Sequence, residues 1–95
     1  MSETMVNGSS FFDALNRVKQ AQQELYEEYP ELTALTKREL EIFGSLLSNH
    51  TPKEIAEEKE ISESSVHYHC KNIYRKLSIS NRKQLLMKYK NLYQS

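Results

Sequence analysis

The sequence predicts an all-α protein: a four-helix domain preceded by one extra N-terminal helix. Apolar residues recur at steps of three and four, and no stretch shows the period of two that a half-buried strand requires. Thr36, Thr51, Ser62 and Asn81, all residues that cap helix starts, stand just ahead of such runs. Pro30, Ser48-Asn49 and Glu60-Ile61 separate the runs.

Residues 1–10 read as a flexible N-terminus. Ser9 or Ser10 caps a helix over about residues 11–28, and Pro30 stops it, because the residue before a proline is pushed out of the α region. Phe11, Leu15, Val18, Leu25 and Tyr29 form a heptad-like stripe with Gln22 in the gap. Such a stripe must be covered, either by its own domain or by a second copy of the helix.

Thr36 and Glu39 form a T-x-x-E capping box for a helix ending at Ser48-Asn49, with Leu40, Phe43, Leu46 and Leu47 on one face. Asparagine there tolerates the left-handed conformation of a helix terminus. Thr51, followed by Pro52, opens a short helix that turns Ile55 and Ala56 inward and ends near Lys59. Ser62 caps the next, Glu63 to Leu77, and Asn81 the last, which runs on through Tyr93.

At 95 residues the chain is one small domain, too short for a catalytic cleft between two domains. No carboxylate pair, nucleophile–base set or phosphate-cradling glycine loop points to an enzyme or a bound cofactor. Its 13 bases and 13 acids cancel, but not evenly along the chain. Residues 1–34 carry two bases against six acids and residues 35–63 four against seven. Residues 64–95 carry seven bases and no acid, so the neutral chain is a dipole with a basic end. A lone cysteine fits a reducing compartment, and no apolar run approaches the roughly 20 residues that span a bilayer. A cytoplasmic protein with no membrane partner is expected.

Helices 52–59 and 63–77, joined by a tight turn, have the form of a helix-turn-helix. The surrounding residues are more specific: Leu35, Thr36, Arg38, Glu39, Glu41 and Ile42; Lys53 to Ala56; Ile61, Ser62, Ser65, Val66 and His69; Ile73, Tyr74, Lys76 and Leu77; Arg82, Gln84 and Leu85. In this spacing, unbroken over residues 35–86, the chain resembles the DNA-binding domain of the LuxR/GerE/NarL family of bacterial transcription regulators. The matches mix core, cap and charged positions, where a generic amphipathic pattern would reproduce only the first. Three positions depart from the family: Asn49 and Glu60 stand where glycine is frequent, and His67 where Lys or Arg is. The resemblance implies a LuxR-type helix-turn-helix domain over 31–95, with residues 11–30 as the added helix.

On a helix, Val66, Cys70, Ile73 and Leu77 form a buried stripe, so Cys70 reads as a small core hydrophobe. His67 and His69 diverge by about 200° around the axis and cannot hold one metal ion together. Ser64, Ser65, His67, Tyr68, Lys71, Asn72 and Arg75 remain as a polar face. A major groove admits one helix and is read by side chains in its N-terminal half. By resemblance His67, Tyr68 and Lys71 occupy base-reading positions, with Ser64 beside them, and Asn72 faces either an adenine or a phosphate. His69 matches a partly buried family position and is expected to hydrogen-bond near the first domain helix. Thr51 and Ser65, with the amides around them, and the charges of Arg75, Lys76, Arg82 and Lys83 are the phosphate candidates.

Leu85 and Leu86 complete the core, leaving Met87, Tyr89, Leu92 and Tyr93 as surplus on a helix that makes the dimer contact in the family. With Leu15, Val18 and Leu25 of the first helix they are the candidate homodimer interface. Neither a receiver nor an autoinducer-binding domain fits in residues 1–34, so the chain resembles the short stand-alone members. The expected function is a sequence-specific transcriptional regulator that places helix 63–77 in double-stranded DNA as a homodimer. The alternative is an interaction module that binds another regulator or RNA polymerase through its acidic half, with weak or no DNA binding.

Overall fold

A computed structural model describes residues 7–93, with side chains from residue 11 onward. The elements are α1 (Asn7–Glu28), a 3₁₀ turn (Pro30–Ala34), α2 (Lys37–Leu47), α3 (Pro52–Lys59), α4 (Glu63–Lys76), α5 (Arg82–Lys88) and α6 (Lys90–Tyr93). No strand occurs among the described residues, and no described helix is long and apolar enough to cross a membrane. The chain divides into two compact units, Met1–Pro30 and Glu31–Ser95.

The first unit is α1. Of the expected flexible N-terminus, residues 1–6 lie outside the described residues, and residues 7–10 form the first turn of the helix. Ser9 and Ser10 therefore lie inside α1 rather than capping it. The helix ends one residue before Tyr29, where Pro30 requires it to. Its apolar stripe is open along its N-terminal half: Phe11 and Val18 are 63% and 64% exposed, and Leu15 36%.

In the second unit the cap signals act as expected. Thr36 Oγ1 accepts the Glu39 amide at 3.1 Å, and the Glu39 carboxylate accepts the Thr36 amide at 2.9 Å. Thr51 and Glu54 repeat the arrangement at 3.1 and 2.7 Å. Among the described residues, three non-glycine residues take the left-handed conformation at helix ends: Asn49 (φ 65°), Glu60 (φ 57°) and Ser78 (φ 58°). Glu60, which stands where the family favours glycine, adopts the glycine conformation all the same. Its Cβ is strained there by about 1–2 kcal/mol. Glu60→Gly is expected to stabilise the domain by about 0.5–1 kcal/mol, since glycine's greater freedom when unfolded takes back part of the relief. A urea midpoint that falls in this variant contradicts the strain.

The core is built around α4, against which α2 and α3 both pack, with α5 on α2. Val66, Cys70, Ile73 and Leu77 are buried as the stripe predicts, as are Ile42, Phe43 and Leu46 of α2 and Ile55 and Ala56 of α3, the two helices that pack on α4. On α2 the buried face is turned from the expected one: Ile42 is fully buried, whereas Leu40 and Leu47 are half-buried. Leu32 of the 3₁₀ turn also has no exposure, a contribution the helical patterning does not announce.

The C-terminal helix differs most from expectation. It breaks at Tyr89 into α5 and α6. Tyr89, placed by sequence among the surplus dimer residues, is fully buried. Its ring meets Phe43 edge to face at 5.1 Å, and its hydroxyl donates to Glu31 at 2.7 Å. An aromatic residue two turns from the cap reaches the core once the helix bends there, so Tyr89 leaves the candidate dimer set. Met87 is 66% exposed, Tyr93 40% and Leu92 half-buried.

Candidate nucleic-acid interface

One long stripe of α4 is open to solvent: Glu63, Ser64, His67, Tyr68, Lys71 and Arg75, at helical steps of three and four. Ser62 fixes where it starts. Its Oγ accepts the Ser65 amide at 3.1 Å and donates to Ser65 Oγ at 3.0 Å, so Ser65 is half-buried and tied into the cap. Tyr68 is 65% exposed, and its ring lies edge-on to His69 at 5.7 Å. His69 is half-buried, and no hydrogen bond joins it to α2 among the described residues. Asn72, also half-buried, accepts from Arg75 Nη2 at 3.2 Å, so it orients that guanidinium instead of standing clear on the face.

Glu63, the last acid before the basic segment, shares the exposed face of α4. It places one carboxylate at the entrance of an otherwise acid-free stripe, where it can accept from a donor such as cytosine N4. Cys70 lies 8% exposed beneath the stripe, and burial pushes its thiol above the usual range, with Arg82 opposing weakly. Beside the stripe, Leu46, Pro52, His67, Cys70, Lys71, Tyr74 and Arg82 line an open cleft of about 380 Å³. A helix entered through a Thr-Pro cap, a left-handed turn and a second, solvent-facing helix thus form a helix-turn-helix.

Residues 33–89 match the family model of the bacterial regulatory proteins, luxR family. The chain belongs to the LuxR family. It is 41% identical over 61 residues to the spore germination protein GerE of Bacillus subtilis, a match covering 64% of this chain and 82% of that protein. It is 45% identical over 51 residues to the probable transcriptional regulatory protein SgaR of Hyphomicrobium methylovorum, covering 54% and 24%. With the HTH-type transcriptional regulator MalT of Vibrio campbellii it shares 35% over 68 residues, 68% of this chain but only 8% of MalT. The chain therefore spans a small part of MalT and SgaR and most of GerE. No solved structure matches it. The family is one of transcription regulators, not of enzymes.

Within this LuxR-family domain, three of the seven C-terminal bases have internal tasks. Lys76 Nζ lies 2.7 Å from Glu39 Oε1, with the Glu39 side chain only 6% exposed. Arg82 donates through Nε and Nη2, at 3.3 and 2.8 Å, to the Leu46 carbonyl at the end of α2, which also accepts the Asn49 amide at 3.2 Å. Lys88 donates at 3.0 Å to the Leu77 carbonyl, closing α4 in the same way. Lys76 and Arg82, expected at phosphates, are thus held inside the domain. Lys71, Arg75, Lys83 and Lys90 are exposed and have no ion pair among the described residues.

The start of α3 is also a poorer phosphate site than expected. Pro52 has no N–H, and the capping box consumes the Thr51 and Glu54 amides, leaving the Lys53 amide and a Thr51 hydroxyl that also bonds the Glu54 carboxylate. The Thr51 amide also holds the Glu54 carboxyl below its ordinary value, keeping a negative charge at that turn.

The Glu39–Lys76 pair makes acid stability testable. Burial pushes the Glu39 carboxyl up, but Lys76 and the Thr36 amide outweigh it, so the group lies below its ordinary 4.5. Glu31 is lowered likewise, the Tyr89 hydroxyl, its backbone and Lys88 overcoming burial. The folded domain therefore holds fewer protons than the unfolded chain as pH falls through this range. Stability from both groups is complete above about 4.5 and is lost as pH drops through the lower folded values. Urea midpoints between pH 7 and pH ~3 are expected to fall, and Glu39→Gln to start lower but fall less. An equally steep decline in Glu39→Gln rules out Glu39 as a source.

Proposed function

We propose that this chain is a sequence-specific transcriptional regulator that inserts α4 into the major groove of double-stranded DNA as a homodimer. The observation that supports this best is the open stripe of α4, which leads with Ser64, His67, Tyr68 and Lys71 on a helix held rigidly from behind by α2 and α3. Lys71 donates to guanine O6 or N7. Tyr68 donates or packs on a thymine methyl, and His67 offers a ring nitrogen. Arg75, steadied by Asn72, and Lys83 carry the phosphate contacts, with the Thr51 hydroxyl and the Ser64 amide as neutral donors. Met87, Leu92 and Tyr93 offer apolar surface for pairing, as do Leu15, Val18 and Leu25. Two-fold pairing would set the two recognition helices about one helical turn of DNA apart.

Selection from a random-duplex pool with the purified protein, followed by binding across a salt series, tests the reading. A two-fold-symmetric motif and an affinity falling with salt by roughly 0.9 log units per phosphate neutralised, per log unit of salt, are expected. No retention of any duplex at low salt would refute it and favour an interaction module that contacts another regulator or RNA polymerase.

A further inference from the structure

We propose that α1 pairs with the α1 of a second copy as an antiparallel coiled coil, giving the protein a dimer contact separate from its DNA-binding unit. The stripe carries this first. Phe11, Leu15, Val18, Gln22 and Leu25 follow one another at steps of four, three, four and three, alternating between the two seam positions of a heptad repeat. Phe11 and Val18 are more than 60% exposed, although residues of this size on a seam need cover. At 22 residues α1 is long enough for three heptads, but such a helix is marginal on its own in water.

The positions along the stripe and the charge together select the direction. In an antiparallel coil, one kind of seam position meets the other across the axis. A two-fold centred beside Gln20 sets Leu15 against the partner's Leu25 and Val18 against the partner's Gln22, and brings Phe12 beside the partner's Tyr26. The edge-to-face pair Phe11 and Phe12, 5.6 Å between centroids, then covers the partner's C-terminal turns.

The charges are also split. Arg17 and Lys19, with Asp13, make the first half weakly positive, whereas Glu24, Glu27 and Glu28 crowd the last two turns, and all six side chains are exposed. A parallel pair would gather both sets of three glutamates at ends that already carry the negative pole of each helix dipole. The antiparallel pair parts the two sets to opposite ends of the coil and brings Glu24 nearly level with the partner's Arg17, although Glu27 comes level with the partner's Asp13. Lys19 lies across the axis from its own copy in this arrangement, and its long side chain is free to splay into water. The polar Gln22 at the seam lowers stability and sets register, so the coil is a weak contact with a defined pairing.

Disulfide trapping on the full-length chain under mild oxidation tests direction and existence together. Cys70 is buried, so the unaltered chain gives the background. Lys19→Cys places thiols across the antiparallel axis and is expected to give a covalent dimer. Leu25→Cys brings its thiols together only in a parallel coil and is expected to give none. Dimer from Leu25→Cys, or from neither variant, overturns the proposal. Val18→Asp in the Lys19→Cys background is expected to abolish trapping without changing the thermal midpoint of the helix-turn-helix unit; trapping that survives it also overturns the proposal. None of these outcomes depends on DNA, so the coil and the DNA-binding reading stand or fall separately.

Discussion

Tyr89→Ala is expected to cost about 3–5 kcal/mol and to leave the helix-turn-helix unit largely unfolded at ambient temperature. The ring is fully buried against Phe43, so truncation opens a cavity in a core too small to close around it. It also removes the donor to Glu31, whose carboxylate then loses the hydroxyl that helps hold it ionised. Tyr89→Phe separates the two contributions. It keeps the packing and loses the hydrogen bond, for a cost of about 1.5 kcal/mol, because Glu31 retains some solvent. The check is thermal unfolding followed by circular dichroism over a range of protein concentrations. A residue that served a dimer interface would show its cost as weaker association and a concentration-dependent midpoint. A Tyr89→Ala variant with unchanged unfolding at low concentration would refute the core assignment.

Lys71→Ala is expected to weaken binding to the selected site by about 1–3 kcal/mol, roughly five- to 150-fold, while affinity for scrambled duplex changes much less. Lys71 is exposed on the open stripe of α4 and has no internal partner to replace among the described residues, so the variant should fold as the parent does. Lys76→Ala is the comparison. Sequence alone places Lys76 at a phosphate and predicts a uniform loss of affinity. Because its ammonium is held at 2.7 Å by the buried Glu39, the expected result is a loss of stability of about 2 kcal/mol, with DNA affinity preserved where the domain remains folded. Titrations against cognate and scrambled duplexes at one salt concentration, with unfolding curves in parallel, separate the cases. Equal losses on both duplexes for Lys71→Ala would move it from base reading to phosphate contact.

Both variants depend on how far a charge can be read from the chain. The run of seven bases after Glu63 was visible without coordinates, and so was the polar face of α4, because helical phase puts Cys70 inward and His67 outward. The destinations of individual cations were not visible. Arg82 and Lys88 cap the ends of α2 and α4, and Lys76 answers a glutamate 37 positions earlier. A lysine that caps a distant carbonyl and a lysine that meets a phosphate look identical in sequence, since the difference lies in a partner brought close only by folding. Glu63 is the reverse case: along the chain it belongs to the acidic segment, yet helical phase puts it on the same face as the bases.

Local signals behaved differently from long-range ones. The Thr36–Glu39 box, the Thr51, Ser62 and Asn81 caps and the stop before Pro30 are legible in the sequence, because each involves atoms within a few residues of one another. The left-handed Ser78 had no such signal, and Glu60 had the wrong one. In both places the packing of neighbouring helices imposes a conformation that the residue itself does not favour.

The sequence by itself determined the all-α class, the order of the helices, the N-terminal caps of α2 to α5, the family and the outward face of α4, since these follow from periodicity and from chemistry within a turn of the chain. Only the tertiary structure decided that Tyr89 belongs to the core, that the last helix breaks there, and that Lys76, Arg82 and Lys88 serve the fold. Those outcomes depend on which distant carbonyl, carboxylate or ring arrives at each side chain, and that is set by how the helices pack.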